Sequence, residues 1–463
     1  MEGKTNSETE YFHMKRFITQ SVLSYIRFFA RIKVKRQHPW IIGVTGSVGK
    51  SSFLSIASHV LGSVYLVKTT TKGNSETGLP LEILGLRDEL ADYSWDTWLR
   101  ICLQVPFAAL RREDWNCLIA EMGIDSPNPP KNMEYLLSII RPDVGVFLSV
   151  APVHTEQFAE NLPKDEQSDE KKILDLIARE KGKLVTTLRP SQTAICNADD
   201  QRIMALLSEI HAKQVLFGTQ KGTDVRLVSH TTDIKSGTTF VFEAEGQQLP
   251  LVLPQVVFKE YGSIIAAVLA TCHVMHVPYG KSISIIQKTF TLPAGRFSVF
   301  EGKNGSTILD SSYNSSPDAL SASLTFLSKQ TGGKRIAVLG DMRELGPLAE
   351  IKHREMARLA AKSADIIILV GPFMKKYAHD ELVKLKFPKE NHYWFEKSPG
   401  VGEFVVLKLL KRGDTVLMKG SQNTIFLEEA VKEMLAHASD TAKLCRQSAY
   451  WDDVRNRFFG EKR

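Results

Sequence analysis

The chain has 463 residues, too many for one ordinary hydrophobic core, so two or three domains are expected. Hydrophobic residues make up 43% and charged residues 24%, a composition typical of a soluble globular protein. The net charge of +7 suits an anionic substrate such as a nucleotide, but no nucleic-acid-reading motif accompanies it. Nucleic-acid binding is therefore not expected.

The five cysteines are scattered along the chain and form no CxxC pair. Neither a zinc site nor a disulfide framework is expected, which favours a reducing compartment. The polar N-terminus shows no signal peptide. We therefore predict a cytoplasmic protein.

Residues 11–35 mix aromatic and aliphatic side chains with lysines and arginines. No apolar run here is long enough to span a bilayer. A basic amphipathic helix of this kind suits peripheral contact with a membrane surface, whereas packing against its own protein is the favoured alternative. We predict a basic amphipathic helical segment over residues 1–39.

From residue 40 onward, short apolar runs alternate with helical patterns. Residues 40–44 read as a buried strand, and one face of a helix follows at Phe53, Ile56, Ala57, Val60 and Leu61. Further strands are predicted at residues 117–120, 144–148 and 183–186. The alternation indicates a parallel sheet covered by helices.

Between residues 214 and 254 the pattern changes to short strands separated by turn residues, at 225–228, 238–243 and 249–253. We interpret them as a small added β-layer, followed by a helix from about residue 261 to 276. The polar, charged stretch 161–172 is interpreted as a solvated loop.

A second unit is predicted to start near residue 297. Two strands at 297–300 and 307–310 flank Lys303-Asn304-Gly305, a strong hairpin signal, and buried strands follow at 336–339, 366–370 and 415–418. The predicted fold is α/β, with a central P-loop-type doubly wound parallel sheet and a second, Rossmann-like α/β domain. The predicted boundaries are 40–296 for the central ATP-binding domain and 297–463 for the C-terminal domain.

The strongest local motif lies between the first strand and the first helix of the central domain. Its glycines let backbone N–H groups converge on phosphate oxygens, and the helix N-terminus adds its dipole. Lys50 would reach the β- and γ-phosphates, and the Ser51 hydroxyl would hold Mg²⁺. The predicted nucleotide-binding residues here are Thr45, Gly46, Ser47, Val48, Gly49, Lys50, Ser51 and Ser52.

This T-G-S-x-G-K-S variant resembles the nucleotide loop of the Mur ligase family, and later segments resemble the same family in the same order. They are G-N-S-E-T-G-L-P at 73–80, E-M-G at 121–123, N-A-D-D at 197–200, G-R at 295–296, D-S-S-Y-N-S-S-P at 310–317, G-D-M-R-E-L-G at 340–346 and K-G-S at 419–421. Each match is weak alone, but their joint order is highly specific. The segments at 310–317 and 340–346 favour the family's dipeptide-adding branch.

The resemblance implies an ADP-forming, ATP-dependent carbon–nitrogen ligase that works through an acyl-phosphate. The branch would add D-alanyl-D-alanine to a UDP-MurNAc-peptide in peptidoglycan precursor synthesis. ATP and two Mg²⁺ ions are the implied cofactors, and Lys181 resembles the lysine that the family carbamylates. A monomer is expected, with a nucleotide-sugar peptide and a dipeptide as its small-molecule substrates.

The resemblance also implies roles for residues outside the loop. The implied metal ligands are Ser51, Glu121, His154 and Lys181. Lys50, Glu121, His154, Lys181 and Arg296 are the implied catalytic residues, and Arg296 and Asp310 are added to the nucleotide site. The implied substrate-binding residues are Asn74, Asn314, Lys419, Gly420 and Ser421.

Three features depart from the family pattern. The family carries a UDP-binding domain ahead of the nucleotide loop, whereas only residues 1–39 precede the first strand here. The segment whose asparagine helps hold the nucleotide base aligns with Val257, Lys259, Glu260 and Ser263, so adenine recognition is expected to be altered. Finally, Ser149 and Ser311 stand where the family has an asparagine and an aspartate.

Two alternatives remain open from the sequence. One keeps the chemistry and changes the substrate, as in the folylpolyglutamate- or cyanophycin-type ligases of the same superfamily. The other is a nucleotide-binding regulatory protein whose ligase activity has decayed, which the altered base segment supports. The retained Lys50, Glu121, His154 and Lys181 oppose this second alternative.

Overall fold

The structure, a computed structural model, describes residues 3–70, 73, 75–87, 95–152, 155–421 and 425–460. For residues 3–19 and 95 it describes the backbone alone. Two sheets organise this part of the chain, the first formed before residue 254 and the second after residue 297.

The first sheet has the strand order β2-β3-β1-β4-β5-β6-β7-β8-β9. Pairing is parallel from β2 to β7 and antiparallel from β7 to β9. The central strand β1 lies between β3 and β4, and all three are buried almost throughout, which explains their continuous apolar runs. The strands are β1 (Trp40–Thr45), β2 (Val67–Thr69), β3 (Cys117–Glu121), β4 (Val144–Phe147), β5 (Thr193–Asn197), β6 (Lys213–Gly218), β7 (Val225–Asp233), β8 (Gly237–Ala244) and β9 (Gln247–Leu253).

Helices cover both faces of this sheet. One core lies under α2, α9 and α10, and the other under α1, α3, α4, α5 and α7. This is the doubly wound arrangement predicted from the alternation of strands and helices. The helices up to residue 289 are α1 (Gly3–Gln37), α2 (Lys50–Leu61), α3 (Gly78–Leu84), α4 (Trp95–Leu110), α5 (Met133–Leu137), α6 (Thr155–Ala159), α7 (Glu170–Thr186), α8 (Gln201–Met204), α9 (Lys259–Val274) and α10 (Tyr279–Thr289).

The second sheet has the order β10-β11-β15-β12-β13-β14. The predicted hairpin forms the antiparallel pair β10–β11, and the other pairings are parallel. Its strands are β10 (Ser298–Gly302), β11 (Ser306–Ser311), β12 (Arg335–Gly340), β13 (Ile366–Val370), β14 (His392–Phe395) and β15 (Thr415–Lys419). Its helices are α11 (Pro317–Leu327), α12 (Ala349–Ser363), α13 (Asp380–Lys384), α14 (Val401–Phe404), α15 (Glu428–Met434) and α16 (Ala449–Phe459).

Three details differ from the sequence-based expectation. Residues 183–186 are not a strand but the last turn of α7, where Leu184 and Val185 continue the buried face of an amphipathic helix. The strands β7 to β9 are not a separate layer, because β7 pairs with β6 at Phe217↔Val225 and extends the same sheet. Residues 161–172, predicted as a solvated loop, are not all loop, because α7 already begins at residue 170.

The parts of the chain that form the two sheets contact each other at several places, among them the ion pair of Lys352 with Glu170 at 2.9 Å. Thr155 donates to the carbonyl of Leu345 at 3.0 Å, next to the described end of the loop after β4. Phe258, Phe297 and Phe326 form an aromatic cluster with ring centroids 4.3 to 5.7 Å apart. The predicted junction near residue 296 therefore lies beside a packed aromatic contact, and the exact domain boundaries stay a prediction.

The N-terminal helix α1 packs against α3 and α4 with Leu23, Ile26 and Ala30 buried. The favoured prediction, a helix packed on its own protein, matches this position. None of the helices in the described part of the chain is both long and apolar enough to cross a membrane.

Candidate active site

The phosphate loop joins the buried strand β1 to α2. Lys50 donates from Nζ to the Gly46 carbonyl at 2.8 Å, which folds its side chain back across the loop. Gly49 has φ +91, and a Cβ there would lie 3.0 Å from Ile264 of α9. A side chain at this position is both conformationally strained and crowded, so the glycine is required by the turn itself.

The end of β4 holds the phosphate loop from the side. The backbone N–H of Ser47 donates to the Ser149 carbonyl at 2.9 Å, and that of Val48 donates to the Ser149 hydroxyl at 3.2 Å. The Ser47 hydroxyl donates to the Ala151 carbonyl at 3.0 Å and accepts from the Ala151 N–H at 2.9 Å. Ser149 thus fixes the loop although it replaces the asparagine of the family pattern.

Ser51 and Glu121 lie together at the carboxyl ends of β1 and β3. The Ser51 hydroxyl donates to Glu121 Oε2 at 2.9 Å. Glu121 is 4% exposed, and its strand is registered against β1 by the pair Val44↔Glu121. Nearby, Thr45 donates from its hydroxyl to the Met122 carbonyl at 3.0 Å and joins the same two strands. Hard oxygen atoms therefore converge beside the phosphate loop.

Two lysines share this region, of which Lys50 is half-buried and Lys181 is buried. Burial lowers the pKa of Lys50, although the Glu121 and Asp125 carboxylates oppose the shift. Burial, with the Lys50 cation beside it, lowers the pKa of Lys181 to about 7, again against Asp125 and Glu121. Lys181 lies on α7, is 4% exposed, and approaches the Ile124 carbonyl at 3.4 Å. Lys181 is therefore an interior residue and not a solvated helix lysine.

We call Lys50, Ser51, Glu121, Asp125 and Lys181 the phosphate cluster. The sequence pattern missed Asp125, which follows the E-M-G motif by only two residues. Asp125 follows the carboxyl end of β3, at which Glu121 lies. This position could have identified it, because the carboxyl ends of parallel strands lie at one edge of the sheet, where ligands bind.

A second group of predicted residues surrounds Lys419 at the end of β15. Lys419 is 3% exposed and donates from Nζ to the Ser311 hydroxyl at 3.1 Å and to the Asn314 carbonyl at 2.8 Å. Burial and the Arg296 cation lower the pKa of Lys419 to about 7, while Asp310 opposes the shift. Ser311, where the family has an aspartate, therefore provides a neutral acceptor.

Asp310 lies beneath this group and is completely buried. Burial raises its pKa to about 6, although its Oδ1 accepts from the Ser312 N–H at 3.0 Å. Its Oδ2 is one of the buried polar atoms in the described structure without a hydrogen-bond partner. The carboxyl group is therefore shielded from solvent, and its predicted direct contact with a nucleotide stays a prediction.

Arg296 belongs to the same group. Its guanidinium lies 5.0 Å from the ring centre of Tyr313, and the Gly295 carbonyl accepts from the Tyr313 N–H at 3.0 Å. Gly295 has φ +70, and a Cβ there would meet Cys445 Sγ at 2.9 Å. The G-R motif is thus a tight turn that fixes Arg296 over Tyr313.

The K-G-S motif completes the second group. Ser421 is 2% exposed, donates from its hydroxyl to the Ser315 carbonyl at 3.2 Å, and accepts from the Arg343 N–H at 3.0 Å. Gly420 packs against Gly340, where a Cβ on Gly420 would lie 3.3 Å from the Gly340 Cα. The motifs at 310–317, 340–346 and 419–421 therefore meet at the carboxyl ends of β11, β12 and β15. We call Arg296, Asp310, Ser311, Asn314, Lys419 and Ser421 the lysine cluster.

The structure thus distributes the predicted residues over two clusters, one on each sheet. Asn74 and His154 lie outside the described residues. The roles assigned to individual residues stay predictions, whereas their grouping is a feature of the fold.

The altered base segment lies at the start of α9. Val257 donates its N–H to the Thr238 hydroxyl at 2.8 Å, and Lys259, Glu260 and Ser263 follow in the first turns of the helix. Since Ile264 of this helix lies against Gly49, the altered residues are next to the phosphate loop.

Comparison with known families bears on the whole arrangement. A model described as "Mur ligase middle domain" matches residues 44–256, and one described as "Mur ligase, glutamate ligase domain" matches residues 295–422. The chain belongs to the Mur ligase family. The two matches contain the phosphate cluster and the lysine cluster respectively.

Several curated relatives of this Mur ligase carry the name UDP-N-acetylmuramoyl-tripeptide–D-alanyl-D-alanine ligase. The relative from Bacillus subtilis (strain 168) is 23% identical over 428 residues, which cover 90% of this chain and 80% of the relative. That from Synechocystis sp. is 27% identical and covers 86% of this chain and 74% of the relative. That from Escherichia coli (strain K12) is 23% identical, with 87% and 78% covered.

Solved structures share the fold. The MurF ligase from Thermotoga maritima in complex with ADP has a TM-score of 0.69 at 22% identity, covering 94% of this chain and 84% of that one. MurF from Acinetobacter baumannii has a TM-score of 0.70 at 17% identity, covering 89% and 80%. The doubly wound α/β class is therefore confirmed.

Proposed function

We propose that this Mur ligase joins D-alanyl-D-alanine to a UDP-MurNAc-tripeptide, with conversion of ATP to ADP and phosphate. The observation that carries the proposal is the phosphate cluster, in which Lys50, Ser51 and Glu121 meet beside a strand–glycine turn–helix. Its supports are the two family matches and the shared name of the relatives.

The first step would be phosphoryl transfer. A carboxylate oxygen of the peptide attacks the γ-phosphorus of ATP, the bond to the β–γ bridging oxygen breaks, and an acyl-phosphate and ADP form. The backbone N–H groups of the phosphate loop and the Lys50 cation would stabilise the phosphate charge. The loop is already held by β4 through Ser47 and Ser149, so little reorganisation is required.

The oxygen atoms of Ser51, Glu121 and Asp125 fit Mg²⁺. The described residues hold no group of three or more His, Cys, Asp or Glu side chains able to form a metal cage. Mg²⁺ usually takes one or two carboxylates together with substrate phosphates, so this donor set suits it. When bound, Mg²⁺ supplies positive charge to the β- and γ-phosphate oxygens. A second Mg²⁺ ion, for which His154 is the expected ligand, is also part of the proposal, although His154 lies outside the described residues.

Lys181 is the candidate for carbamylation. Its amine is buried among carboxylates, and its pKa of about 7 leaves a neutral fraction near neutral pH. The neutral nitrogen would add to the carbon of CO₂, one proton would leave the nitrogen, and a carboxylate-like group would result. This change replaces a buried cation by an anion next to Lys50.

The second step would use the lysine cluster. The neutral dipeptide amine attacks the acyl carbon, the bond from that carbon to the phosphate oxygen breaks, and phosphate leaves. The nitrogen releases one proton to solvent or to the departing phosphate as the amide forms. Arg296 and the protonated form of Lys419, whose pKa is about 7, are placed to hold anionic groups at the carboxyl ends of the second sheet. The hydrogen bond from Thr155 to the Leu345 carbonyl joins the two parts of the chain that carry the clusters. We also propose that the protein is a monomer and that its domain boundaries lie near residues 40 and 297.

The test is phosphate release by the full chain with ATP, Mg²⁺ and UDP-MurNAc-tripeptide, with and without D-alanyl-D-alanine. Dipeptide-dependent release is expected. Lys181→Ala should lower it about 100-fold or more while ATP binding persists, since Lys181 lies outside the phosphate loop.

Lys183→Ala is the matched control, because Lys183 is on the same helix but is 39% exposed and pairs with Glu180 at 2.7 Å. Its turnover should remain near that of the wild type. ATP binding without dipeptide-dependent release would contradict the proposal and favour another acceptor or a regulatory role.

A further inference from the structure

The helix α4 exposes an apolar stripe. Its members recur at intervals of four, four and three residues, which places them on one helical face. They are Leu99 (63% exposed), Leu103 (65%), Phe107 (77%) and Leu110 (57%). The opposite face holds Ile101, Val105 and Ala109 in the core. The stripe is therefore an outward face of a well-packed helix, and not a poorly packed part of the core.

The helix α1 packs beside α4. Tyr25 donates to the Cys102 carbonyl at 3.0 Å, and Lys33 donates to the Ala108 and Arg111 carbonyls at 3.0 and 2.6 Å. The two helices therefore run parallel, with their C-terminal ends together. Phe28 on α1 is 59% exposed.

The shared C-terminal end is basic. A cleft of about 280 Å³ lies there, lined by Lys33, Arg36, Gln37, Ala109, Leu110, Arg111 and Arg112. Glu113 pairs with Lys33 at 2.8 Å, whereas Arg36, Arg111 and Arg112 are exposed. Across residues 20–37 and 96–112 there are eight lysines and arginines and one acidic residue, Asp96, which pairs with Arg100.

We propose that residues 20–37 and 96–112, the α1–α4 surface, dock this protein onto the surface of an anionic phospholipid membrane. The apolar stripe would enter the boundary between headgroups and acyl chains, and the arginines of the cleft would contact lipid phosphates. Contiguous exposed apolar side chains beside concentrated positive charge match this partner.

The positive charge of the α1–α4 surface also disfavours a second copy of this protein as its partner. Lys33 and Arg100 are neutralised by Glu113 and Asp96, so a second copy of the same face would bring the six other cations against six, which disfavours self-association. The α1–α4 surface contains no residue of the phosphate cluster or the lysine cluster. Docking through it is therefore independent of the proposed function and leaves the catalytic groups unaltered.

The test is cosedimentation of the full chain with vesicles. Binding is expected to vesicles of phosphatidylglycerol and phosphatidylcholine, to be weak on phosphatidylcholine alone, and to fall as salt is raised. The double variant L103E/F107E should abolish it. The double variant R111Q/R112Q should weaken it about fivefold for each arginine.

The variant L407E is the matched control, because Leu407 is a 69% exposed apolar residue outside this surface. It should bind like the wild type, and circular dichroism should show that every variant is folded. Equal binding by L103E/F107E and the wild type, or no binding to the anionic vesicles, would overturn the proposal. So would a dimer that the same variant dissociates.

Discussion

At the residue scale, the Ser51–Glu121 hydrogen bond links the phosphate loop to the neighbouring strand. Ser51 is the second residue of α2, directly after the loop that follows β1, and Glu121 ends β3. The register pair Val44↔Glu121 joins β3 to β1, so the strand pairing helps to set the spacing of the serine and the carboxylate. Positions of this kind are fixed by the sheet and not by the loop alone.

Ser51→Ala should raise the Mg²⁺ concentration needed for half-maximal turnover by about tenfold, because one oxygen of the proposed site is lost. Magnesium titration of phosphate release measures this. Ser58→Ala, on the exposed side of the same helix, provides the control. An unchanged magnesium requirement in Ser51→Ala would exclude the hydroxyl from the metal site.

Gly49→Ala should destabilise the protein by about 1–2 kcal/mol, because an L-residue is strained at φ +91 and its Cβ would crowd Ile264. Gly280→Ala is the comparison, since Gly280 lies in α10 with open space around its Cβ. There a gain of about 0.5–1 kcal/mol is expected. Urea denaturation of both variants measures the difference, and equal stabilities would refute the argument.

At the element scale, a buried ion pair supports the loop of the lysine cluster. Arg446 and Glu428 are 2% and 0% exposed and approach to 2.6 Å. The Arg446 guanidinium also donates to the Ser312 and Tyr313 carbonyls at 3.0 and 2.9 Å. The C-terminal segment therefore holds the backbone just before Asn314.

Glu428→Ala should cost about 3–5 kcal/mol, because it leaves Arg446 buried without its anion. Glu429→Ala, in the adjacent and more exposed position, should cost about 1 kcal/mol or less. Thermal or denaturant unfolding distinguishes the two. The double variant E428L/R446M should recover much of the loss, and similar costs for both single variants would contradict this role of the pair.

Sequence patterns predicted elements best where burial and periodicity agree. The hairpin around Asn304 was predicted because only few residues adopt its positive φ, and the structure gives Asn304 a φ of 60. The end of α7 was misassigned because Leu184 and Val185 resemble a strand locally, and only the full spacing back to Ile173 shows a helix. Four strands of the described chain were missed. Of these, β2 and β14 have only three and four residues and little pattern, whereas β5 and β6, with five and six residues, mix apolar with polar side chains.

The site was predicted as motifs but not as two clusters. Local spacing placed Lys50 and Ser51 on one loop, whereas the pairing of Lys419 with Ser311 joins residues far apart in the chain. Such contacts depend on strand order, and β15 lies between β11 and β12 in the sheet. A single sequence does not encode that order in any local pattern.

At the scale of the whole molecule, buried lysines link stability to pH. Lys419 has a folded-state pKa of about 7 and an ordinary value of 10.5. Between these values the unfolded chain binds a proton that the folded chain has released, so the free energy of unfolding rises with pH across this window. Below pH 7 Lys419 is protonated in both the folded and the unfolded chain. The free-energy cost of burying its charge then fully lowers the stability of the folded state.

Lys419→Met should reduce the slope of the free energy of unfolding against pH by up to about 1.4 kcal/mol per pH unit. The reason is that the unfolded variant no longer binds this one extra proton. Urea unfolding at several pH values between 7 and 10 measures it. Lys408→Met, at an exposed position, should leave the slope unchanged. An unaltered slope in Lys419→Met would show that this lysine is not buried as a neutral amine.

The position of β1 in the middle of the first sheet also constrains biosynthesis. The ribosome releases Trp40–Thr45 early, but its partners Cys117–Glu121 and Val144–Phe147 follow only much later. At about 5–20 residues per second the strand waits several seconds for both neighbours. During this interval the phosphate loop of the nascent chain lacks the strands that hold it in place. We therefore expect a bound nucleotide to stabilise the nascent chain only after β4 has left the ribosome.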